Sequence, residues 1–362
     1  MAERADVLIV GGGLAGCAAA LTLARSRRAV TLVEREDGPH DKVCGEFLSG
    51  EALAELEALG VSPAALGAVP LTDARVAARG RAHGAPLPFR AASLTRRALD
   101  EAMLDACMAA GVEVRRGVAV TRAEGRTARL STGEAVTADA LILATGKHDL
   151  RGQPRPDGLH GDLVGLKAYF RAPRGPRSSV DLAFFPDGYA GLQPVENRTT
   201  NVCLVVSRDR LRALGGDPSA VFAHMRTACP HAEGLLAGSE RVTAKPLAIG
   251  RVPYGYVRRG AHDAFHVGDQ AAVIPSFCGE GMGIALRSGR MAAEAVLAGE
   301  SPDAFQRRFA RLAAPRVRGA ARLSRVLCRP GLQPPAAWLA GAVPGLLSGL
   351  AAATRTPDTR AA

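Results

Sequence analysis

The feature of the sequence that most constrains its fold is a glycine-rich turn between an apolar strand pattern and an apolar helix pattern. The run "DVLIV" indicates a buried parallel strand, and "GGGLAG" follows it directly before the helical pattern "CAAALTLARS". There Gly11 permits the tight turn, Gly13 lets backbone amides approach a pyrophosphate, and Gly16 lets the helix pack closely on the strand. A second strand pattern ends at Glu34, where a carboxylate can bind a ribose hydroxyl. The segment therefore predicts a site for an adenine dinucleotide.

Three later segments add charged or glycine-rich turns that suit the same ligand. A helical pattern from residue 94 to 109 has Arg96 and Arg97 in its first turn, where the helix dipole favours anions. A bound phosphate explains these arginines better than a solvated face, although both interpretations stay open. The strand pattern "DALILATG" ends in small residues that let the backbone approach a ligand. Another strand pattern leads to Asp269, whose carboxylate can accept hydrogen bonds from the hydroxyl groups of a polyol chain. A glycine-rich turn follows, and a helix pattern begins around Gly281.

Composition places the chain among ordinary globular proteins. Its 362 residues, 47% apolar and 22% charged, suffice for one large or two interleaved domains with a sizeable core. The seven cysteines are widely separated, with no CxxC pair and no His/Cys cluster, so we expect reduced thiols in a cytoplasmic protein and no metal site. The first apolar run follows acidic residues and is interrupted by glycines, which argues against a signal peptide and a membrane span.

The net charge of +11 is concentrated in the last part of the chain, where arginines alternate with apolar residues at helical spacing. Only 4% of residues are aromatic and none interleaves with these arginines in a nucleic-acid motif, so we expect no nucleic-acid partner. A shorter apolar piece follows, and Pro344 interrupts it. The tail is expected either to dock on the nucleotide domain and cover a pocket, or to touch an anionic membrane peripherally.

A family resemblance rests on the combination of these motifs. They are the glycine triplet with Glu34-Arg35, the helix motif Arg96-x-x-Leu99-Asp100, "ATG" at 144–146, and Gly268-Asp269 followed by Gly279-Glu280-Gly281. Together they resemble the FAD-dependent aromatic hydroxylase fold, whose superfamily also contains geranylgeranyl-reductase-like enzymes and flavin halogenases. The resemblance covers roughly residues 5 to 300. It implies an α/β fold with a Rossmann-like FAD-binding domain of the glutathione-reductase type, an inserted antiparallel β-sheet substrate domain and a C-terminal helical tail.

The resemblance also implies domain boundaries and cofactor contacts. The FAD-binding domain is expected at 1–72, 94–162 and 250–300, the substrate domain at 73–93 and 163–249, and the helical tail at 301–362. Within the superfamily pattern, Arg96 contacts the FAD phosphates, Asp269 binds ribitol, and the amides of 279–283 stabilise negative charge on the flavin. The cofactor-binding residues implied are Gly11, Gly13, Leu14, Ala15, Gly16, Glu34, Arg35, Cys44, Gly45, Arg96, Val120, Gly146, Asp269, Gly279, Glu280, Gly281, Met282 and Gly283. Because no second GxGxxG is present, NADPH or NADH is expected to bind only transiently as the reductant.

Three reactions fit the resemblance, and the sequence favours the first. An NAD(P)H-dependent monooxygenase would hydroxylate a hydrophobic aromatic or polyketide-type molecule of secondary metabolism through a flavin C4a-hydroperoxide. A geranylgeranyl-reductase-like enzyme would instead deliver hydride to a prenyl or other alkene substrate, although only Tyr189 and Pro194 remain of that group's aromatic motif. A non-catalytic flavin electron carrier is the third reading. Halogenation is disfavoured because the only tryptophan, Trp338, lies in the tail.

The stretch "KVCGEF" holds the one candidate catalytic side chain, Cys44. No second cysteine or ligand-type cluster lies near it, which argues against a disulfide and a metal site. Geranylgeranyl-reductase-like enzymes have a similar Lys-x-Cys-Gly-Glu, and the resemblance places the thiol near the isoalloxazine. Gly45 would allow close approach of the backbone. Cys44 is expected either to form part of the pocket wall or, in a reductase, to assist protonation.

Overall fold

The computed structural model of the protein describes residues 3–78, 80–151, 153–156 and 162–328, with the single positions 331 and 349. These residues form two sheets and the helices that pack on them. The strands, in chain order, are β1 Glu3–Val10, β2 Val30–Glu34, β3 Phe47–Leu48, β4 Val69–Ala78, β5 Arg81–Ser93, β6 Glu113–Arg116, β7 Val120–Glu124, β8 Thr127–Leu130, β9 Ala135–Leu143, β10 Leu163–Arg171, β11 Ser179–Phe185, β12 Gly188–Val195, β13 Thr199–Ser207, β14 Glu240–Arg241, β15 Leu247–Ile249 and β16 Phe265–His266. The helices are α1 Leu14–Arg25, α2 Gly50–Ala58, α3 Arg96–Ala109, α4 Arg208–Ala213, α5 Pro218–Ala228, α6 Pro230–Leu236, α7 Gly281–Leu297 and α8 Pro302–Leu327.

The first sheet has the strand order β6-β2-β1-β9-β8-β7, with β16 beside β9. β1 runs parallel to β2 and β9, and β16 runs parallel to β9. Val7 and Ile9 pack with α1, α3 and α7, whereas Leu8 and Val10 pack with residues of the β7–β8 hairpin. Because both faces are covered there, the second half of β1, residues 7–10, is continuously apolar and does not alternate. The carboxyl ends of its parallel strands meet at one edge, where ligands of such sheets bind.

The second sheet has the order β14-β10-β13-β12-β11-β4-β5-β3, with β15 also pairing with β10. β10 to β13 are antiparallel, and one face of them is covered by α5 through Phe222 and Met225 and by α6 through Leu236. The sheet also includes residues 47–48 and 69–72, which lie within the segments predicted for the FAD-binding domain. The predicted α/β class with an inserted, largely antiparallel sheet is confirmed.

Helix α8 confirms the first half of the predicted helical tail. Its buried residues Phe305, Phe309 and Val317 belong to the core that covers one face of the first sheet. The Phe305 ring lies 5.6 Å from that of Phe265 in β16. Trp338 and Pro344 lie outside the described residues. Among the described helices, none combines the length and apolarity needed to cross a bilayer.

Candidate FAD site and substrate pocket

The turn after β1 is built so that only one of its glycines faces open space. Gly11 has a left-handed φ of +109°, and a Cβ atom there would overlap the carbonyl oxygen of Ala144. A Cβ on Gly16 would overlap the carbonyl oxygen of Gly11. At Gly13 the nearest atoms to a Cβ would be cationic, Arg96 Nη2 at 3.5 Å and Lys42 Nζ at 3.8 Å. Gly11 and Gly16 therefore serve packing, whereas Gly13 borders a positively charged space at the start of α1.

The two cations beside Gly13 share one buried carboxylate. Arg96 Nε and Nη2 donate to the two oxygens of Asp100 at 2.7 and 2.8 Å, and Lys42 Nζ donates to Asp100 Oδ2 at 2.7 Å. Burial opposes the charge of Arg96, but Asp100 and the neighbouring Cys44 thiol outweigh it and raise the pKa of Arg96. Two positive charges face one negative charge, next to the amides of a helix N-terminus. The residues present therefore fit the pyrophosphate of FAD.

The Glu34 carboxylate accepts hydrogen bonds from the backbone of the glycine-rich turn and of its own strand end. Its Oε2 accepts from the amide of Gly12 at 2.6 Å and its Oε1 from the amide of Glu36 at 3.0 Å. The amide of Val118 donates to the Glu34 carbonyl at 3.1 Å, so the segment that leads to Val120 runs beside it. Glu34 is thus held at the edge where a ribose would lie, although its carboxylate already has backbone partners. The neighbouring Arg35 is directed to Glu36 and His148 instead.

The predicted contacts after β9 and β16 lie next to each other. The carbonyl of Gly146 accepts from Gln270 Nε2 at 2.9 Å, and Lys147 Nζ lies 3.7 Å from Asp269 Oδ2. Arg155 holds the Asp269 carbonyl at 2.7 Å and the Lys147 carbonyl at 2.8 Å. These contacts join the segment after β9 to the segment after β16. They hold Asp269 at the carboxyl edge of the first sheet.

The segment 279–283 forms the N-terminal turn of α7. Gly279 has φ +67°, and a Cβ there would lie 2.6 Å from the Phe47 ring, so the turn needs glycine. Gly281 has no atom within 4 Å of its Cβ position, and Met282 is buried beneath the turn. Amides of a first helical turn have no partner within the helix, so this turn can offer donors to a negatively charged ring edge.

The loop that carries Cys44 and Gly45 lies between the two sheets. Asn201 Nδ2 donates to the carbonyls of Cys44 at 3.2 Å and Gly45 at 2.9 Å. Lys167 Nζ donates to Glu46 Oε1 at 2.5 Å. Asn201 and Lys167 belong to the face of the second sheet opposite α5 and α6, which we call the inner face. By strand register its three rows are Gln193–Asn201–Tyr169, Gly191–Cys203–Lys167 and Tyr189–Val205–Gly165.

The row Gln193–Asn201–Tyr169 forms the polar end of the inner face, and the row Tyr189–Val205–Gly165 forms its apolar end. At the apolar end the Tyr189 hydroxyl lies 3.0 Å from Ser276 Oγ, and its ring meets Phe277 edge-on at 5.9 Å. In the middle row a Cβ on Gly191 would have only two neighbours within 4 Å, and Cys203 is half-buried. Burial raises the pKa of Cys203 to about 12, so its thiol keeps its proton. Cys44, Cys203, Gly191 and Phe277 are therefore candidates for the wall of a substrate pocket.

Comparison with known proteins finds similar FAD-dependent proteins. A family model described as FAD dependent oxidoreductase matches residues 6–46. A menaquinone reductase of Mycolicibacterium smegmatis is 27% identical over 338 residues, which cover 84% of this chain and 79% of that protein. The chain is an FAD-dependent oxidoreductase.

Two solved structures share the fold of this oxidoreductase. A geranylgeranyl bacteriochlorophyll reductase-like protein of Thermoplasma acidophilum superposes with a TM-score of 0.76 at 18% identity, covering 95% of this chain and 93% of that one. PqsL of Pseudomonas aeruginosa, named a "probable FAD-dependent monooxygenase", superposes with a TM-score of 0.68 at 17% identity, covering 90% and 96%. These likenesses confirm the predicted fold, whereas the individual cofactor contacts stay predictions.

Several polar residues of the oxidoreductase were not identified from its sequence. Lys42 is part of "KVCGEF", but its pairing with Asp100 has no local pattern. Lys167 stands in the otherwise apolar run "LVGLKAYF", and a lysine in a buried strand was the one available signal. Glu46 is also part of "KVCGEF" but was given no role, and Asn201 gave no signal. All seven cysteines are free thiols, as expected, and within the described ranges no group of three His, Cys, Asp or Glu side chains gathers as a metal site.

Proposed function

We propose that the protein is an FAD-dependent reductase that saturates a carbon–carbon double bond in the prenyl chain of an isoprenoid quinone. From the sequence alone this reaction is the second of the three expectations. The observation that carries it is similarity to menaquinone reductases over most of the chain, together with a half-buried thiol, Cys44, between the cofactor loop and the inner face. Hydroxylation needs no such group.

The residues of the chain have separate tasks in this reaction. FAD, when bound and reduced by NADPH or NADH, supplies the hydride that adds to one alkene carbon. Arg96 and Lys42 bind the pyrophosphate, and the Tyr189 row with Phe277 excludes water around the prenyl chain. The Cys44 thiol donates the proton to the second carbon. Arg96 stands beside that thiol and offsets the negative charge left on sulfur, which solvent then reprotonates.

Monooxygenation is the second candidate. The observation that favours it is the apolar row of the inner face, where burial raises the pKa of Tyr189 and water is excluded. A dry pocket protects reactive oxygen species from solvent as well as it protects a hydride transfer. The two reactions therefore share a pocket and differ in whether a proton-donating thiol is needed.

The test is an anaerobic reaction with NADPH, the FAD-loaded protein and menaquinone, followed by exposure to air and mass spectrometry. Reduction of the quinone ring is reversed by air, so a lasting gain of two hydrogens identifies saturation of the chain. A gain of one oxygen, only when oxygen is admitted during turnover, would instead establish the monooxygenase. Cys44→Ala should lower turnover by roughly 100-fold, the usual size of a general-acid effect. Cys229→Ala, which removes a buried thiol on the α5 and α6 side of the second sheet, should change turnover little, and equal losses in both variants would contradict the assigned donor.

We also propose that α8 brings the protein to an anionic bilayer that contains the lipophilic substrate. Arg311, Arg318 and Arg322 are exposed on the side of α8 away from its buried apolar residues, and no ion pair joins them to another described residue. Cys328, at the end of α8, packs against the cluster that includes Tyr189 and Val205. The basic face therefore leads to the apolar end of the pocket.

Flotation with vesicles of phosphatidylcholine and phosphatidylglycerol tests this contact. Three arginines near an anionic surface contribute about 3 kcal/mol, so replacing Arg311, Arg318 and Arg322 with Gln should lower binding roughly a hundredfold. The same residues changed to Lys should bind as the parent does. A second control replaces the exposed Arg28, Arg174 and Arg177 with Gln. Equal binding by all variants, or binding to neutral vesicles alone, would overturn the proposal.

A further inference from the structure

The inner face holds a buried ion pair that the reaction does not use. Lys167 Nζ and Glu46 Oε1 lie 2.5 Å apart, and neither side chain is accessible to solvent. The Tyr169 hydroxyl donates to the same oxygen at 2.7 Å, and Lys167 Nζ also contacts that hydroxyl at 2.7 Å. The second oxygen of Glu46 has no hydrogen-bond partner among the described residues. Such a pair is a poor source of stability, because loss of hydration offsets the attraction, so another role has to explain it.

Side chains hold the backbone of the loop just before Glu46. Lys147 Nζ donates to the carbonyl of Val43 at 2.9 Å, and Asn201 Nδ2 binds the carbonyls of Cys44 and Gly45. No backbone hydrogen bond within the described part of the chain holds residues 43–45. The path of this loop is therefore set by side chains from both domains, in place of a strand ladder or a helix.

Glu46 itself has a conformation that needs external support. Its φ of +61° lies in the left-handed region, which is strained for a residue other than glycine. This turn directs its amide back to Cys44 Sγ at 3.3 Å. Its carboxylate also accepts from the amide of Arg96 at 2.8 Å, at the start of α3. One buried side chain thus connects the inner face, the cofactor helix and the thiol.

We propose that Lys167, Tyr169 and Asn201 are positioning residues that, with Glu46, hold the Cys44–Gly45 segment at the pocket between the two sheets. The second sheet then sets the position of the Cys44 thiol relative to the cofactor. The consequence for catalysis rests on the proposed function, because only there does Cys44 donate a proton. The positioning itself is a property of the folded chain and is measurable without turnover.

The experiment measures alkylation of Cys44 by iodoacetamide in the FAD-loaded protein, with peptide mass spectrometry and with Cys328 in the same sample as reference. Releasing the strain at Glu46 should change the Cys44 rate relative to Cys328 on the order of tenfold, which corresponds to about 1.4 kcal/mol. This change is expected in Lys167→Met and in Asn201→Ala, and Asn201→Ala covers the case in which Lys167→Met does not fold. Glu46→Gln combined with Lys167→Met should give the same change with less loss of stability.

The matched control removes a different buried ion pair. Arg290 Nε lies 2.9 Å from Glu55 Oε2, between α7 and α2, and Arg290→Met should lower stability without altering the Cys44 rate. The visible spectrum of bound FAD should shift in the Lys167 and Asn201 variants and stay unchanged in the control. Unchanged Cys44 alkylation in both inner-face variants, or an equal change in Arg290→Met, would overturn the proposal. A failure of the reductase assay with altered alkylation would refute the proposed function and leave the positioning intact.

Discussion

Replacing Arg96 with Met should weaken FAD binding and leave the fold in place. The guanidinium lies 3.5 Å from the Cβ position of Gly13, where the pyrophosphate is expected, and its own partner is Asp100. A hydrogen bond between charged groups contributes roughly 1.5–3 kcal/mol. Loss of this contact should therefore raise the dissociation constant of FAD by about ten- to a hundredfold.

The stability of the apoprotein should fall only modestly, because Asp100 keeps its second partner, Lys42. Burial alone would raise the pKa of Asp100, but Arg96 and Lys42 outweigh it and lower that pKa. A carboxyl group with a lowered pKa stabilises the fold above its unfolded pKa. The difference in free energy of unfolding between parent and variant should therefore be present at neutral pH and disappear as the pH falls below 3.8.

The control for this prediction lies next to Arg96 on the same helix. Arg97 pairs with Asp41 at 3.0 Å and with the carbonyl of Pro39, and half of its side chain is exposed. Such an exposed pair contributes little, so Arg97→Met should bind FAD as the parent does. The assay is titration of apoprotein with FAD, followed by quenching of flavin fluorescence. Equal affinity of the two variants would refute the assignment of the pyrophosphate site.

Two further predictions concern stability. Gly289→Ala, whose Cβ would overlap the Ala15 carbonyl where α7 crosses α1, should lower the free energy of unfolding by about 1–3 kcal/mol in urea denaturation. Gly319→Ala in α8 has open space and should raise it by up to about 1 kcal/mol, so a similar loss in both would contradict the packing argument. Burial, aided by Arg258, lowers the pKa of His266 to about 3, so parent stability should fall as the pH drops from about 6.5 towards 3. His266→Gln should remove about 2 kcal/mol of that loss at pH 5, and parallel pH profiles would show that His266 is protonated in the folded state.

Local patterns predicted the cofactor half of the molecule well. The order of apolar run, glycines and helix located β1, the turn and α1, because a tight turn with close helix packing excludes larger side chains at Gly11 and Gly16. Arg96 became a candidate for phosphate binding because an arginine at a helix start conflicts with the dipole, and this role stays a prediction. No local pattern placed β3 in the second sheet, since it is only two residues long and joins the sheet by pairing with the distant β5. The helices α4 to α6 were not anticipated.

The sequence by itself determined the α/β class and the glycine-rich turn between β1 and α1. These properties depend on neighbours in the chain, where steric limits and periodicity act directly. Only the tertiary structure decided that Cys44 lies beside Arg96 and that the loop around it is held by Lys167 and Asn201. Lys167 is separated by 121 residues from Glu46, and Asn201 by 156 from Gly45. Strand register and the packing of two sheets bring them together, and no local pattern encodes either.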